Sequence, residues 1–268
     1  MSSTGESTII VFVVESKRGR SVTLSWLVRE YGEVSSTQEV AERLASGGAR
    51  EGTVILAERQ NSGRGRMERR WLSPKGGLYL SIVLRPGRVG GVHLLTLVGA
   101  LAAAEGTRKA AGVSSKIRWP NDLVVGGRKL GGVIATASTR GESLEFVVLG
   151  IGVNGNFRTD ELGDLSSASA TLMELGQAPV DLPSLRSRIL EEFEVRYEGW
   201  GRGEELKLIR LARSLLSTSG KKVEFAHLRG TVTRGIAEKL EEDGSLVVKV
   251  RGKRLRLRAE EVEWLREL

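Results

Sequence analysis

Aliphatic and β-branched residues gather in short runs at residues 7–14, 53–57, 78–84, 116–119, 132–137 and 144–151, most of them bounded by glycine, proline or charge. Runs of this length and composition read as strands. From Ser35 the spacing lengthens. Ser36 and Thr37 precede Val40, Ala41 and Leu44, and Gly47-Gly48 ends the run, which are the marks of a capped helix. Residues 93–111 are Ala-rich and largely apolar, as a buried helix would be, while 185–197 and 204–216 have amphipathic helical spacing. Residues 23–31 are mixed, with no period that selects an element.

After Ser217 the rhythm shortens. Residues 221–225, 231–236, 245–250 and 254–257 are brief strands, turned at Gly230, Asp243-Gly244 and Gly252. The chain is therefore expected to be α+β. Residues 1–216 form a larger domain, with an N-terminal arm at 1–34, and residues 217–268 form a small appended β-barrel.

The 268 residues carry 41 Lys+Arg against 33 Asp+Glu, a formal charge of +8. That excess favours anionic ligands such as nucleotides, nucleic acid, or an acidic protein partner. Cysteine is absent, which excludes disulfides, thiolate zinc sites and Cys nucleophiles. Neither of the two histidines, His93 and His227, has the context of a catalytic triad or a metal cage. The apolar run 9–14 is too short to cross a bilayer, and no secretory signal pattern is present. A cytoplasmic protein is expected, with no membrane partner.

Four stretches carry chemistry. Gly63-Arg64-Gly65-Arg66, followed by Arg69, Arg70, Trp71 and Ser73-Pro74, lies between two strands. Its glycines allow close backbone approach and its guanidiniums can grip phosphate; a mobile basic loop is the bland alternative. Arg118-Trp119-Pro120-Asn121-Asp122 sets a cation and a flat ring at a strand end. Simple turn chemistry would also explain the last three residues. Lys116 and Arg118 share one strand face, so both are expected to face a common anion. Arg128-Lys129-Leu130-Gly131-Gly132 can bring a lysine to a phosphate, or form an ordinary hairpin. Gly150-Ile151-Gly152-Val153-Asn154-Gly155 matches a dinucleotide fingerprint, but no convincing helix follows and no βαβ unit precedes it, so that reading is rejected.

Taken in order, these motifs resemble the biotin–protein ligase family, from about Ser35 to the C-terminus. Ser36-Thr37-Gln38, Gln60, Leu78-Tyr79-Leu80-Ser81 and Gly150-Ile151-Gly152-Val153-Asn154 add to the likeness. The resemblance implies a mixed-sheet catalytic domain of the biotin/lipoate ligase type and a C-terminal SH3-like β-barrel. It implies ATP- and Mg-dependent activation of biotin to biotinyl-5′-AMP, then transfer to a lysine of a biotin carboxyl carrier protein. Ser36, Thr37 and Gln38 would lie at the biotin end, with Gln60 on the ureido group. Arg64, Gly65 and Arg66 would close over carboxylate and phosphates, near Arg69, and Trp71 would wall the nucleotide. Arg118, Arg66 and Lys129 would be catalytic. Trp119, Gly131 and Gly132 would complete the ligand site, Asn154 would serve the adenine, and Asn121 and Asp122 the phosphate region, with Asp122 the candidate Mg ligand.

Two departures stand out. Arg118 occupies the place where the family usually has lysine, and Gln38 replaces the usual asparagine. The 34 residues before Ser35 are too short for a winged-helix DNA reader, so specific DNA binding is not expected; a homodimer is compatible with the reading. A lipoate-type protein ligase and a basic nucleic-acid-binding module are the rival functions.

Overall fold

The computed structural model describes residues 10–14, 24–228 and 230–268; residues 7–9 of the expected first strand, Thr23 and Arg229 lie outside the described residues. Eight strands make the main sheet: β1 (Ile10–Val14), β2 (Trp26–Val34), β3 (Thr53–Gln60), β4 (Leu78–Leu84), β5 (Lys116–Arg118), β6 (Asp122–Val125), β7 (Arg128–Arg140) and β8 (Ser143–Val153). Their spatial order is β1-β2-β3-β4-β8-β7-β6-β5. Among the described residues only β2 and β3 pair in parallel; every other ladder of this sheet is antiparallel. The mixed segment at 23–31 is thus corrected. Trp26 and Val28 alternate into the core while Arg29, Glu30 and Glu33 interrupt the pattern, and residues 26–34 belong to the sheet rather than to an arm.

Helix α1 (Thr37–Ser46) covers one face of this sheet, packing Val40, Ala41 and Ala45 on Ile55, Val83, Phe146 and Val148. On the other face lie α2 (Leu95–Ala111) and α4 (Leu182–Gly201), with the short α3 (Leu172–Gly176) between them in the chain and α5 (Glu205–Leu215) after. Asp181 caps α4, its carboxylate accepting the Ser184 N–H at 3.4 Å, so this helix starts earlier than its apolar spacing alone indicates. The Gly150–Gly155 run ends β8, which pairs antiparallel with β4 and β7, and no helix follows directly. A dinucleotide fold is excluded on that ground.

The C-terminal residues form a second sheet from β9 (Lys222–His227), β10 (Val232–Leu240), β11 (Leu246–Val250), β12 (Lys253–Leu257) and β13 (Val262–Glu267), ordered β12-β11-β10-β9-β13. All its ladders are antiparallel. Strand β13 was not expected from the sequence, because charged residues break its apolar rhythm. The edge strands β12 and β13 share no ladder among the described residues, so the ladders make a five-stranded sheet and do not close it into a barrel. Its buried Val223, Phe225, Leu240 and Val248 belong to the same apolar cluster as α2, α4 and the main sheet.

Candidate functional site

A cavity of about 480 Å³ opens on the α1 face of the main sheet, beyond the N-terminus of that helix. The sheet itself makes the hollow. Side chains alternate across a strand, so Gly150 and Gly152 of β8 share the face of Val148, yet present no side chain. A Cβ at Gly152 would stand 2.8 Å from the Trp71 ring, and one at Gly150 would stand 2.6 Å from Gln38 Oε1. The glycine spacing that imitates a nucleotide motif therefore makes room for two cavity-lining side chains.

One end of the cavity is a network of hydroxyls and carboxamides. Ser36 caps α1, accepting the Gln38 N–H at 3.2 Å. Gln60 Oε1 accepts the Thr37 N–H at 2.7 Å, while Gln60 Nε2 donates to Ser73 Oγ at 2.8 Å. Gln38 Nε2 donates to the Val148 carbonyl at 3.0 Å and to Thr136 Oγ1 at 3.1 Å. Ser81 Oγ donates to Thr37 Oγ1 at 2.9 Å or to Gln38 Oε1 at 3.2 Å. The neutral polar groups are thus locked in position before any ligand arrives.

The other end is cationic. Arg118 and Asp122 are ladder partners across the turn between β5 and β6. Asp122 binds the Arg118 guanidinium at 3.0 Å through one oxygen and the Lys129 ammonium at 2.7 Å through the other. Lys129 also stands 5.1 Å from the centre of the Trp71 ring. The Trp71 indole N–H is buried without a hydrogen-bond partner, a donor available to a ligand. Arg64, Arg66, Arg69, Arg70 and Arg266 raise the lining to seven cations against two carboxylates, Asp122 and Glu263, so the cavity favours an anion. Burial lowers the proton affinity of the Arg66 guanidinium; Asp122 and Glu260 oppose that effect and Arg69 adds to it.

The loop from Gly63 to Trp71 is folded on itself, with the Trp71 N–H on the Gly63 carbonyl at 2.8 Å and the Gly65 N–H on the Arg69 carbonyl. At its tip Met67 and Glu68 have φ of 53° and 55°, left-handed values that non-glycine residues adopt at a cost. Arg64 faces Glu39 at 3.7 Å.

Of the residues singled out in the sequence, Ser36, Thr37, Gln38, Gln60, Arg64, Gly65, Arg66, Arg69, Trp71, Arg118, Trp119, Asn121, Asp122, Lys129 and Gly132 all line this cavity. Four of the residues have other partners or places in the structure. Asn154 is buried outside the lining, and its amide donates to the carbonyls of Ala170 at 3.0 Å and Lys129 at 3.3 Å, tying loops together. Gly131 also lies outside the lining; a Cβ there would come within 2.6 Å of the Gly152 carbonyl, so it serves close strand packing. Lys116 does not share the anion site with Arg118, since its ammonium donates to the Ser214 carbonyl at 3.2 Å. Asp122 is not a ready metal ligand, because both its oxygens are held by cations, and among the described residues no cluster of three His, Cys, Asp or Glu could hold a metal. Asn121 lines the cavity, but its amide donates to the Val133 carbonyl at 2.8 Å and so holds the β5–β6 turn against β7. Arg70 of the basic run lines the cavity too, as do Tyr79, Ser81, Trp264 and Arg266, which carried no assigned role. Tyr79 and Ser81 pair with Gly152 and Gly150, a placement that only the ladder register reveals.

The model of the biotin/lipoate A/B protein ligase family matches residues 31–154. Over 241 residues the chain is 31% identical to the biotin–[acetyl-CoA-carboxylase] ligase of Mycobacterium tuberculosis, covering 87% of this chain and 86% of that one. It is 36% identical over 170 residues to the bifunctional ligase/repressor BirA of Bacillus spizizenii, covering 62% of this chain and 52% of the relative. The match thus spans about half the length of such bifunctional relatives. Among solved structures, the biotin protein ligase of Aquifex aeolicus in complex with biotin and ATP superposes with a TM-score of 0.79 at 26% identity, covering 90% of this chain and 99% of that one. No helix among the described residues is long and apolar enough to cross a membrane.

Proposed function

Because the chain belongs to the biotin–protein ligases of the biotin/lipoate A/B protein ligase family, we propose that it activates biotin with ATP and passes the biotinyl group to a lysine of a biotin carboxyl carrier protein. The observation that carries this reading is one cavity with a fixed neutral polar end at Gln60, Thr37 and Gln38 and a cationic end at Arg118, Lys129 and Arg66. A neutral ureido ring suits the first and two converging anions suit the second.

In the first step a biotin carboxylate oxygen attacks the α-phosphorus of ATP. The bond to the pyrophosphate oxygen breaks, and its electron pair leaves with pyrophosphate. Nucleophile and electrophile are both anionic, so the site must supply position and positive charge rather than a nucleophile. Arg118 would bridge carboxylate and α-phosphate, a role that its guanidinium's bond to Asp122 supports. Lys129, held on the other oxygen of the same carboxylate, meets the phosphates, and Trp71 walls the nucleotide. Mg²⁺ prefers a few carboxylates together with substrate phosphates; with Asp122 already paired, the ion would be held mainly by the nucleotide, where it neutralises phosphate charge. In the second step the neutral amine of the carrier lysine attacks the acyl carbon, the acyl–oxygen bond breaks with its electron pair leaving on AMP, and the nitrogen releases a proton to solvent. Residues 1–216 would hold this chemistry and residues 217–268 would assist it, in a cytoplasmic enzyme.

Biotin-dependent exchange between ATP and pyrophosphate, run with lipoate in parallel, tests the reading. Exchange with biotin, followed by an ATP-dependent mass increase of one biotinyl group on a carrier domain, is expected. Exchange with lipoate alone would move the protein to the lipoate ligases. Salt-sensitive DNA binding without any exchange would overturn the enzyme reading altogether.

A further inference from the structure

Arg66 belongs to the glycine-arginine loop, yet its strongest contacts are with the other sheet. Its Nη2 donates to the Ala259 carbonyl and, at 2.9 Å, to the Val262 carbonyl. These acceptors belong to the first residue of the single-turn helix at Ala259–Glu261 and to the first residue of β13, into which it leads. That turn is fixed from behind. Val262 is fully buried and pairs with His227, and the Glu261 carbonyl accepts the Leu228 N–H at 2.9 Å. Arg66's own loop offers less support, since Met67 and Glu68 beside it are exposed and held in left-handed backbone. Arg66 also lies between two cavities. It lines the one described above and a neighbouring one of about 840 Å³, which shares Gly65, Trp119, Pro120 and Ile134 with it.

A guanidinium has five N–H donors in a rigid plane. Two on Nη2 are committed to the second sheet, which leaves those on Nε and Nη1 for an anion. Two fixed acceptors on one nitrogen also fix the plane, so the rotamer freedom of a long side chain is already lost before a ligand binds.

We infer that the turn at residues 259–262 is the positioning element of Arg66. The C-terminal sheet aims this guanidinium at the anionic end of the adenylation site, and ligand binding and the order of β13 are energetically coupled through it. The inference rests on the adenylation reading for the identity of the anion. It does not rest on that reading for the clamp itself. Coupling of this kind is reciprocal: whatever strengthens the hold on Arg66 from the ligand side must stabilise the turn from which it hangs.

Hydrogen exchange of the backbone amides in residues 258–264 tests this, in the full chain and in Arg66→Ala, each without ligand and with saturating biotin and ATP. Without ligand, Arg66→Ala is expected to exchange about tenfold faster in this segment, the size of one lost hydrogen bond, with β10 and β11 unchanged. Ligand should slow exchange there in the unaltered protein and leave it unchanged in Arg66→Ala. Equal ligand-free exchange in the two proteins would overturn the clamp. Unchanged exchange in the unaltered protein, with biotin binding measured by calorimetry, would overturn the coupling while leaving the adenylation reading intact. No heat of biotin binding at all would remove that reading, and the ligand-free comparison would still decide the clamp.

Discussion

Arg118 and Lys116 lie two positions apart on one strand, and the sequence gives them the same side and the same charge. The structure separates them. Arg118 enters the cavity and meets Asp122, while Lys116 reaches away to the Ser214 carbonyl. Arg118→Ala is therefore expected to slow biotin-dependent pyrophosphate exchange by about 2.7–4 kcal/mol of barrier, the usual worth of a preorganised charge-stabilising group, while Lys116→Ala changes it little. Both rates are read in the same exchange assay, and a larger loss in Lys116→Ala would reverse the assignment. Cavity-lining residues such as Arg64, Arg66 and Lys129 are found in the sequence through the ordered set of motifs they belong to; each glycine-and-charge run alone would pass for an ordinary turn, as Arg251-Gly252-Lys253 is. Asn154 is harder to place. An asparagine bonds to backbone carbonyls as readily as to a nucleotide, and its partners, Ala170 and Lys129, lie 16 and 25 residues away. Trp264 and Arg266 gave no signal, because nothing local tells a strand that it will lie beside another sheet's cavity.

The same limit governs the larger pieces. Strands with continuous apolar runs, such as β4, were legible because both of their faces are covered. Strands β2 and β13 carry charges between their buried residues, and their identity comes from their ladder partners. Helices α2 and α4 show a tertiary bond that no helical period encodes. Glu192 of α4 is nearly buried, and it accepts hydrogen bonds from Lys109 of α2 and from Arg196 one turn along α4. Burial disfavours its charge, but the two cations outweigh that cost and hold the carboxyl below the usual glutamate range. A depressed native value means that the carboxylate stabilises the fold at neutral pH and loses that contribution as pH falls through it. The melting temperature should accordingly drop steeply below about pH 4.3. Glu192→Gln should melt lower than the unaltered protein at pH 7, yet lose less on acidification. Parallel melting curves for the two proteins across pH 3–7 would show that Glu192 has no such role.

Residues 1–216 and 217–268 read as separate units in the sequence, because composition and turn density change at Ser217. Their packing is less separate. The Trp119 indole donates to the Gly244 carbonyl at 3.1 Å and the Trp119 N–H to Thr218 Oγ1 at 3.0 Å, so a residue of the cavity wall is held from the second sheet. Arg213 Nε donates to the Leu240 carbonyl at 2.8 Å, and His93 Nε2 lies 3.0 Å from the Asp243 carbonyl. Phe225, Leu240 and Leu246 share one apolar cluster with Leu95, Trp119 and Ile209. An interface this apolar does not behave as a hinge between independent bodies, and removing one side would expose large side chains of the other. Calorimetry of the full chain should show one cooperative unfolding transition, with its calorimetric and van't Hoff enthalpies equal. A chain ended at Leu216 should melt well below the full chain, since exposing even a few buried Leu- or Trp-sized side chains costs about 1.5–3 kcal/mol each. Biotin added to the full chain should raise the single transition as a unit, by the mass-action term that any native-state ligand contributes. Two resolved transitions, only one of them moved by biotin, would mean that the second sheet is an independent appendage, and that the wall formed by Trp119 stands without it.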